Sequence, residues 1–313
     1  MIRLLHQSKI PIDNTKPLAI GHLGKNIRVT VDGGGGTLDD DVGISASIRF
    51  VNPNHLTKND LISNGTLTEE MMDFLIAAYR YGLSMVLAGK TNAGKTTLMS
   101  IIMQEAVPPN KKLITIEYQD REFNLVLPNN KVVHFCTRES DNPDQVISAQ
   151  RLLEFSMTMN PSYLCLAEIK GGEAFETIEA AETGHPVIAT VHGASAEDIP
   201  NRLVPLASLR SKNFSERILY QLTAQAFPIL FYAQKKEDGR RRVMNISECR
   251  YTDGEVHVVP LWQFKTDYCD VVNDKDIIHG HFEKLNIISK GLQQRLREND
   301  IPEELLQSFL KEG

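Results

Sequence analysis

Ser84-Met85-Val86-Leu87-Ala88-Gly89-Lys90-Thr91-Asn92-Ala93-Gly94-Lys95-Thr96-Thr97 decides the fold. Gly89 to Thr96 fits G-x-x-x-x-G-K-[ST], the phosphate-binding loop. An apolar run, Met85 to Ala88, reads as the strand that must precede it, and Thr97 to Ala106 reads as the helix that must follow. Glycines let the backbone curl until successive N–H groups point inward at anionic oxygens. The start of the next helix adds the positive end of its dipole. The binding set is therefore Gly89, Thr91, Asn92, Ala93, Gly94, Lys95, Thr96 and Thr97. Lys95 reaches the β- and γ-phosphates, and the Thr96 hydroxyl holds Mg2+. The bland reading is a glycine turn before an ordinary helix.

Outward from the loop, strands alternate with helices across residues 84 to 200. That pattern predicts an α/β domain with a mostly parallel sheet. Leu113 to Ile116 is a strand with Glu117 at its end, Tyr163 to Ala167 runs into Glu168, and Val187 to Val191 runs into His192. Ligands sit beyond the carboxyl ends of such strands, so the loop, Glu117, Glu168 and His192 gather into one site. A helix is expected from Pro143 to Met157, and another over Glu173 to Thr183 with Gly184 as its C-terminal cap.

Upstream, Asn26 to Val31 and Ile44 to Val51 read as strands around a loop of Gly33 to Gly36 and Asp39 to Asp41. They form a small partial N-terminal α/β domain over 1–52, and a polar linker spans 53–66. The core domain then runs 67–264. Its last part is antiparallel, because Asp238-Gly239 and Asp253-Gly254 each sit between alternating runs, a strong hairpin signal. Residues 265–313 are expected to be a helical tail.

The chain has 313 residues, enough for one large or two modest domains. Hydrophobic residues make up 42% and charged residues 24%, so the chain is globular rather than disordered. The net charge of −6 argues against bulk nucleic-acid binding. There is no apolar stretch long enough to span a membrane, and Met1 to Gln7 is too short and polar for a signal peptide. Four scattered cysteines, with no C-x-x-C pair, read as reduced thiols of a cytosolic protein.

Several side chains admit a functional and a plain reading. Glu168 can polarise a water that attacks the γ-phosphate, or simply be a solvated strand end. Glu117, Asp120 and Glu122 form an acidic cluster that can hold metal-bound waters, although charged loops are more often just exposed. His192 is placed to sense the γ-phosphate, whereas His185 lies at the wrong end of its strand. Arg28 and Arg49 can reach phosphate from a neighbouring element or subunit; surface arginine is the stronger plain reading. Lys235-Lys236 and Arg240-Arg241-Arg242 are well explained by a solvated hairpin turn.

Four ordered segments resemble the secretion ATPase superfamily, the motors of type II and type IV secretion, type IV pili and conjugation. Gly89 to Thr96 is similar to its Walker A, and Ile116 to Leu125 to its Asp box. Tyr163-Leu164-Cys165-Leu166-Ala167-Glu168 through Ala174 resembles its atypical Walker B, and Thr183-Gly184-His185 to His192-Gly193 its His box. The closest resemblance is to the CpaF-like branch, from Ile12-Asp13 through Phe50 to the hairpins ending near Phe264. The earlier half of that branch's N-terminal domain is missing, so the chain reads as a short member or a truncated piece. The chain also departs from the pattern. Tyr118 follows Glu117 where the family shows Glu-Asp, and Thr158-Met159-Asn160 stands where the family has arginines. A basic contact from that segment is lost, or replaced by Arg138 or Arg151.

The resemblance implies a RecA-like hexamer with ATP between each subunit's N-terminal and motor domains. It implies that Lys95 binds phosphates, Thr96 holds Mg2+, Glu168 activates water, Glu117 and Glu122 shape the metal site, and His192 reads nucleotide state. Glu117 and Glu168 join Thr96 as metal-site residues, and Arg49 is carried over as a phosphate-contacting arginine. The implied protein is a Mg2+-dependent motor ATPase on the inner face of the cytoplasmic membrane, working on platform proteins of a secretion, pilus or conjugation machine. Two rivals are a nucleotide-gated scaffold with negligible hydrolysis and a nucleic-acid translocase, the latter disfavoured by the charge.

Overall fold

Met85 and Leu87 point into one hydrophobic core, and Val86 and Ala88 into another. That alternation is what a strand buried on both faces requires. The structure, a computed structural model, describes residues 17–23, 27–33, 37, 43–50, 56–119, 121–140, 142–211 and 213–311. It divides into two compact units, residues 1–55 and 56–313. The boundary falls inside the expected linker.

The smaller unit is an antiparallel sheet of β1 (Leu18–Leu23), β2 (Ile27–Asp32) and β3 (Ser45–Phe50), in that order. Val29 and Val31 on β2 are buried while Thr30 between them is exposed, the expected half-buried alternation. Register places Arg28 opposite Arg49. Most of the glycine and aspartate loop lies outside the described residues, as does Asp120.

The larger unit begins with a correction. Lys58–Ser63 in the expected linker is a helix, α1, because Thr57 and Asp60 form a capping box. Helix α2 (Glu69–Arg80) starts on Thr68, as expected, with Glu69 and Glu70 at its positive end. Then come β4 (Met85–Ala88), α3 (Lys95–Ala106), β5 (Lys112–Glu117) and β6 (Lys131–Cys136). The helix expected from Pro143 is two pieces. Pro143–Gln145 is one 3-10 turn, and Ser148 caps the true helix α4 (Ala149–Met157), because its hydroxyl accepts from Arg151 N. Next are β7 (Tyr163–Leu166), α5 (Glu173–Glu182), β8 (Val187–Val191), α6 (Asp198–Ser208) and α7 (Glu216–Ala226). Gly184, with φ +90°, follows α5 as the expected left-handed stop.

The chain then runs through β9 (Ile229–Lys235), β10 (Arg241–Thr252), β11 (Glu255–Val272), β12 (Lys275–Lys284), α8 (Lys290–Glu298) and α9 (Glu303–Phe309). Both Asp-Gly hairpins are present. The helical tail expected from 265 is wrong for its first twenty residues. β11 and β12 continue as a long ribbon, turned by Asn273 and Asp274 with φ of 51° and 57°. Two consecutive left-handed residues make the tight turn that suits a hairpin.

Among the described residues the sheet of this unit runs β12-β11-β10-β9-β4-β8-β7-β5-β6. From β9 to β6 every neighbour is parallel, and β10 to β12 are antiparallel. Helices α2, α3, α8 and α9 pack on one face and α4 to α7 on the other. Phe74 of α2 contacts Trp262 of β11 at 4.9 Å and Phe309 of α9 at 5.5 Å between ring centroids. These rings tie the ribbon and the C-terminal helices to the core. Burying each contributes about 2–3 kcal/mol. The fold is α/β, with a mostly parallel core that carries antiparallel hairpins on one edge.

Candidate active site

The phosphate loop is shaped by two glycines with different duties. At Gly94, φ is +89° and the helix α3 begins with no side chain capping it. Its first N–H groups therefore face a space suited to an anion. At Gly89 the constraint is room, because a Cβ would lie 2.6 Å from Ala233 O on β9. Between them Asn92 holds φ +67°, and Ala93 N donates to Lys90 O at 3.2 Å. Lys95 Nζ donates to Gly89 O at 2.7 Å and Lys90 O at 3.2 Å. Its ammonium thus sits on the loop's own carbonyls.

The two acids of the following segment have separate positions. Glu117, at the end of β5, is 1% exposed. Its Oε2 accepts from the backbone N–H groups of Glu122 and Phe123, the latter at 2.8 Å. Its Oε1 accepts from Thr115 Oγ1 at 3.2 Å and lies 3.5 Å from His134 Nδ1. The Glu117 carboxylate is thus occupied inside the chain, folding the segment back on itself. Phe123, buried in the core beside α3, pins the same segment. These two anchors deliver Glu122, whose Oε2 receives a long contact of 3.4 Å from Thr96 Oγ1. Of the three acids expected around the metal, Glu117, Glu122 and Glu168, Glu122 is the one whose carboxylate contacts the Thr96 hydroxyl.

Glu168 lies two residues beyond β7, and His192 directly follows β8. The strand order β4-β8-β7 sets His192 between the loop and Glu168. Ile169 N donates to Thr190 O at 2.8 Å and Thr190 Oγ1 donates to Ala167 O at 2.6 Å, which clips the two strand ends together. Gly193 passes so close to the base of the loop that a Cβ would meet that of Ala88 at 3.3 Å. His192 Nε2 stands 2.8 Å from Glu168 Oε1, and Lys170 Nζ stands 3.1 Å from Glu168 Oε2. The histidine is within ion-pair distance but off the line of a hydrogen bond, so Oε1 is buried with no donor aimed at it. A buried carboxylate oxygen in that state is ready to accept from water.

Tyr118, the residue that breaks the expected acidic pair, bridges two segments. Its hydroxyl donates to Glu173 Oε1 at 2.6 Å, and Lys170 Nζ lies over its ring at 4.3 Å. The same Glu173 oxygen accepts from Gly171 N at 2.8 Å. Burial, and then the Glu173 hydrogen bond, push the Tyr118 phenol well up, so it stays a donor. The turn after Glu168 is thereby tied to the segment after β5. Arg138, one candidate for the missing basic contact, instead donates through Nε to Gln145 O at 2.7 Å. Arg49 belongs to the other compact unit.

Residues 5–269 match the protein family described as "Type II/IV secretion system protein". The chain belongs to that family. It is 34% identical over 188 residues to the type IV secretion system protein PtlH of Bordetella pertussis, covering 58% of this chain and 54% of PtlH. It is 36% identical over 129 residues to the type IV secretion system protein VirB11 of Brucella suis, covering 41% of this chain and 36% of VirB11. The chain spans about half the length of the PtlH relatives, 54%. Among solved structures, the pilus retraction motor PilT with bound ADP is similar, with a TM-score of 0.54 and 15% identity. That likeness covers 93% of this chain and 68% of PilT. The shared fold is the RecA-like arrangement that the family resemblance implied.

Three residues make contacts beside the loop and the turn after Glu168 that the sequence did not signal: Tyr118, Glu173 and Arg241. Tyr118 was legible only as a departure. Arg241 sits in a basic run that a solvated turn explains, yet it reaches Asn92 across 149 residues of sequence.

Proposed function

We propose that the chain is a motor ATPase subunit that hydrolyses ATP to drive a secretion, pilus-assembly or conjugation machine at the cytoplasmic membrane. The observation that carries this is the Glu168–His192 pair beside an uncapped phosphate loop, on adjoining strand ends of one parallel sheet. The loop alone would only bind; hydrolysis needs a group that orients water.

The donor set fits a Mg2+–triphosphate. Thr96 Oγ1 is the hydroxyl for the ion, and Glu122 beside it is the acid that would hold a metal-bound water. Mg2+, when bound, neutralises the charge that develops on the β- and γ-oxygens. Lys95 leaves its loop carbonyls to pair with the phosphates. Glu168 accepts a proton or hydrogen bond from the attacking water, and His192 reads whether the γ-phosphate is present. Glu117 acts here by shaping the segment that presents Glu122, rather than by touching the ion. Arg49 is carried as a phosphate-contacting arginine, and a homo-hexamer of the CpaF-like type is the working assembly. The platform proteins of the membrane machine are its partners, in a cytoplasmic, membrane-peripheral setting. Among the described residues no helix is long and apolar enough to cross a membrane.

Steady-state phosphate release with ATP and Mg2+ tests the reading. Lys95→Ala should abolish release and nucleotide binding, and Glu168→Gln should lower release by about a hundredfold or more while keeping binding. Release unchanged in Glu168→Gln sinks its catalytic role. Binding without measurable release in the unsubstituted chain favours the nucleotide-gated scaffold. Stimulation by DNA at low salt favours the translocase.

A further inference from the structure

Arg241, though exposed, lies against the phosphate loop. Its Nε donates to Asn92 O at 3.0 Å, and its Nη2 donates to Asn92 Oδ1 at 2.7 Å. Both acceptors belong to one residue, and that residue holds φ +67°. Asparagine tolerates the left-handed region better than most residues, but the conformation still needs support. The stem of Arg241 then covers the next left-handed residue, Gly94, where a Cβ would come within 2.9 Å of Arg241 Cδ. One side chain therefore spans both left-handed positions of the loop.

The arginine is delivered on a rigid base. Strand alternation on β10 turns Arg242 to the opposite side. There its fork grips Asp238 at 3.0 and 2.6 Å, donates to Ile278 O on β12 at 3.3 Å, and lies 5.0 Å over the Phe264 ring on β11. Arg242 and Asp238 are 4% and 6% exposed. A buried ion pair thus fixes the hairpin whose other face reaches the loop.

A loop that must aim several N–H groups at phosphate binds more tightly when it is already in shape. A planar fork closing on two oxygens of one residue sets that shape; a point charge would add only attraction. We infer that Arg241 is a positioning residue for the nucleotide: its fork locks Asn92 in the left-handed conformation and so preorganises the phosphate loop for a nucleoside triphosphate. The inference rests on the ATPase reading above.

The test uses the full chain, Mg2+ and a fluorescent N-methylanthraniloyl-ATP at fixed salt. Binding by the unsubstituted chain, lost in Lys95→Ala, comes first; absence of binding there overturns the ATPase reading and this inference with it. Given that binding, Arg241→Ala should raise Kd, and KM for ATP, about tenfold, with kcat within about twofold. Arg241→Lys keeps the charge but loses the fork and should stay close to Arg241→Ala. Asn92→Gly, which removes the Oδ1 acceptor without straining the left-handed backbone, combined with Arg241→Ala should bind no worse than Arg241→Ala alone. Since Arg241 is exposed, the unfolding midpoint of its variants should match the parent and serves as the fold control. Unchanged affinity in Arg241→Ala, full recovery by Arg241→Lys, or additive losses in the double variant would overturn the positioning role.

Discussion

Glu117 and Glu122 are five positions apart in one acidic stretch, yet burial gives them opposite duties. Glu117 is enclosed and saturated by backbone donors, whereas Glu122 is half-buried beside the Thr96 hydroxyl. Removing the first leaves two enclosed N–H groups without an acceptor, and each such orphan costs about 1–3 kcal/mol. Glu117→Ala should therefore lower unfolding stability by about 2 kcal/mol or more. Glu122→Gln should leave denaturant midpoints within about 0.5 kcal/mol of the parent and reduce phosphate release about tenfold or more. If Glu122→Gln hydrolyses ATP at the parental rate while Glu117→Gln is dead at unchanged stability, the two assignments must be exchanged. The sequence made both acids visible and could not rank them. Their difference depends on how Phe123 and the Glu117 carboxylate fold the segment, and neither is a periodic signal. Tyr118 was visible only as the wrong residue beside Glu117, and its bond to Glu173 joins positions 55 apart.

At the scale of elements, each strand that ends in a chemical residue was legible, because a strand buried on both faces is a short unbroken apolar run. The misreadings have local causes. The Thr57–Asp60 capping box hid in a polar stretch that looked like linker. Pro143 looked like a helix start but opens a 3-10 turn, and the stop before Ser148 carries no glycine. The β11–β12 ribbon turns on Asn273-Asp274 rather than on an Asn-Gly or Asp-Gly pair, so its hairpin signal was weak. The β9–β10 hairpin has the expected solvated turn, with Lys235, Gly239, Arg240 and Arg241 exposed, but Arg242 and the Asp238 carboxylate are enclosed. Burial there pushes the Asp238 carboxyl up, but hydrogen bonds from Arg242 and from the Arg240 backbone, with the charges of both arginines, outweigh it, and the carboxyl titrates below its ordinary range. A carboxyl with a lowered folded pKa contributes stability above its unfolded value, near 4, and loses it as pH falls through the folded value. Asp238→Asn should accordingly cost about 3 kcal/mol at neutral pH, the price of breaking a buried pair. Denaturant melts across pH should show that deficit shrinking below about pH 4. A deficit independent of pH would mean that the pair matters for shape alone.

For the whole molecule, the exposure of the two residues at the strand ends bears on assembly. His192 is half-exposed and Glu168 one-fifth exposed, at 49% and 19% of their side-chain surface. Hydrolysis of a triphosphate gains from excluding bulk water, because charge stabilisation is stronger in an enclosed site. On the proposed ATPase reading a second copy would complete the site, as the RecA-like resemblance implies. The sequence had suggested that assembly through the order of four motifs, a whole-chain signal that no single segment carries. Two measurements follow. Native mass with a non-hydrolysable ATP analogue should give an assembly six times the 35.1 kDa chain. If the ring completes the site, phosphate release per chain should rise steeply with protein concentration and level off once assembly is complete. Mixing in Lys95→Ala chains at a fixed total should then depress release by more than their share, because a ring that couples its sites stalls on one dead member. Release that is proportional to the active fraction, at a concentration-independent specific activity, would mean that each chain completes its own site and would remove the ring from the mechanism.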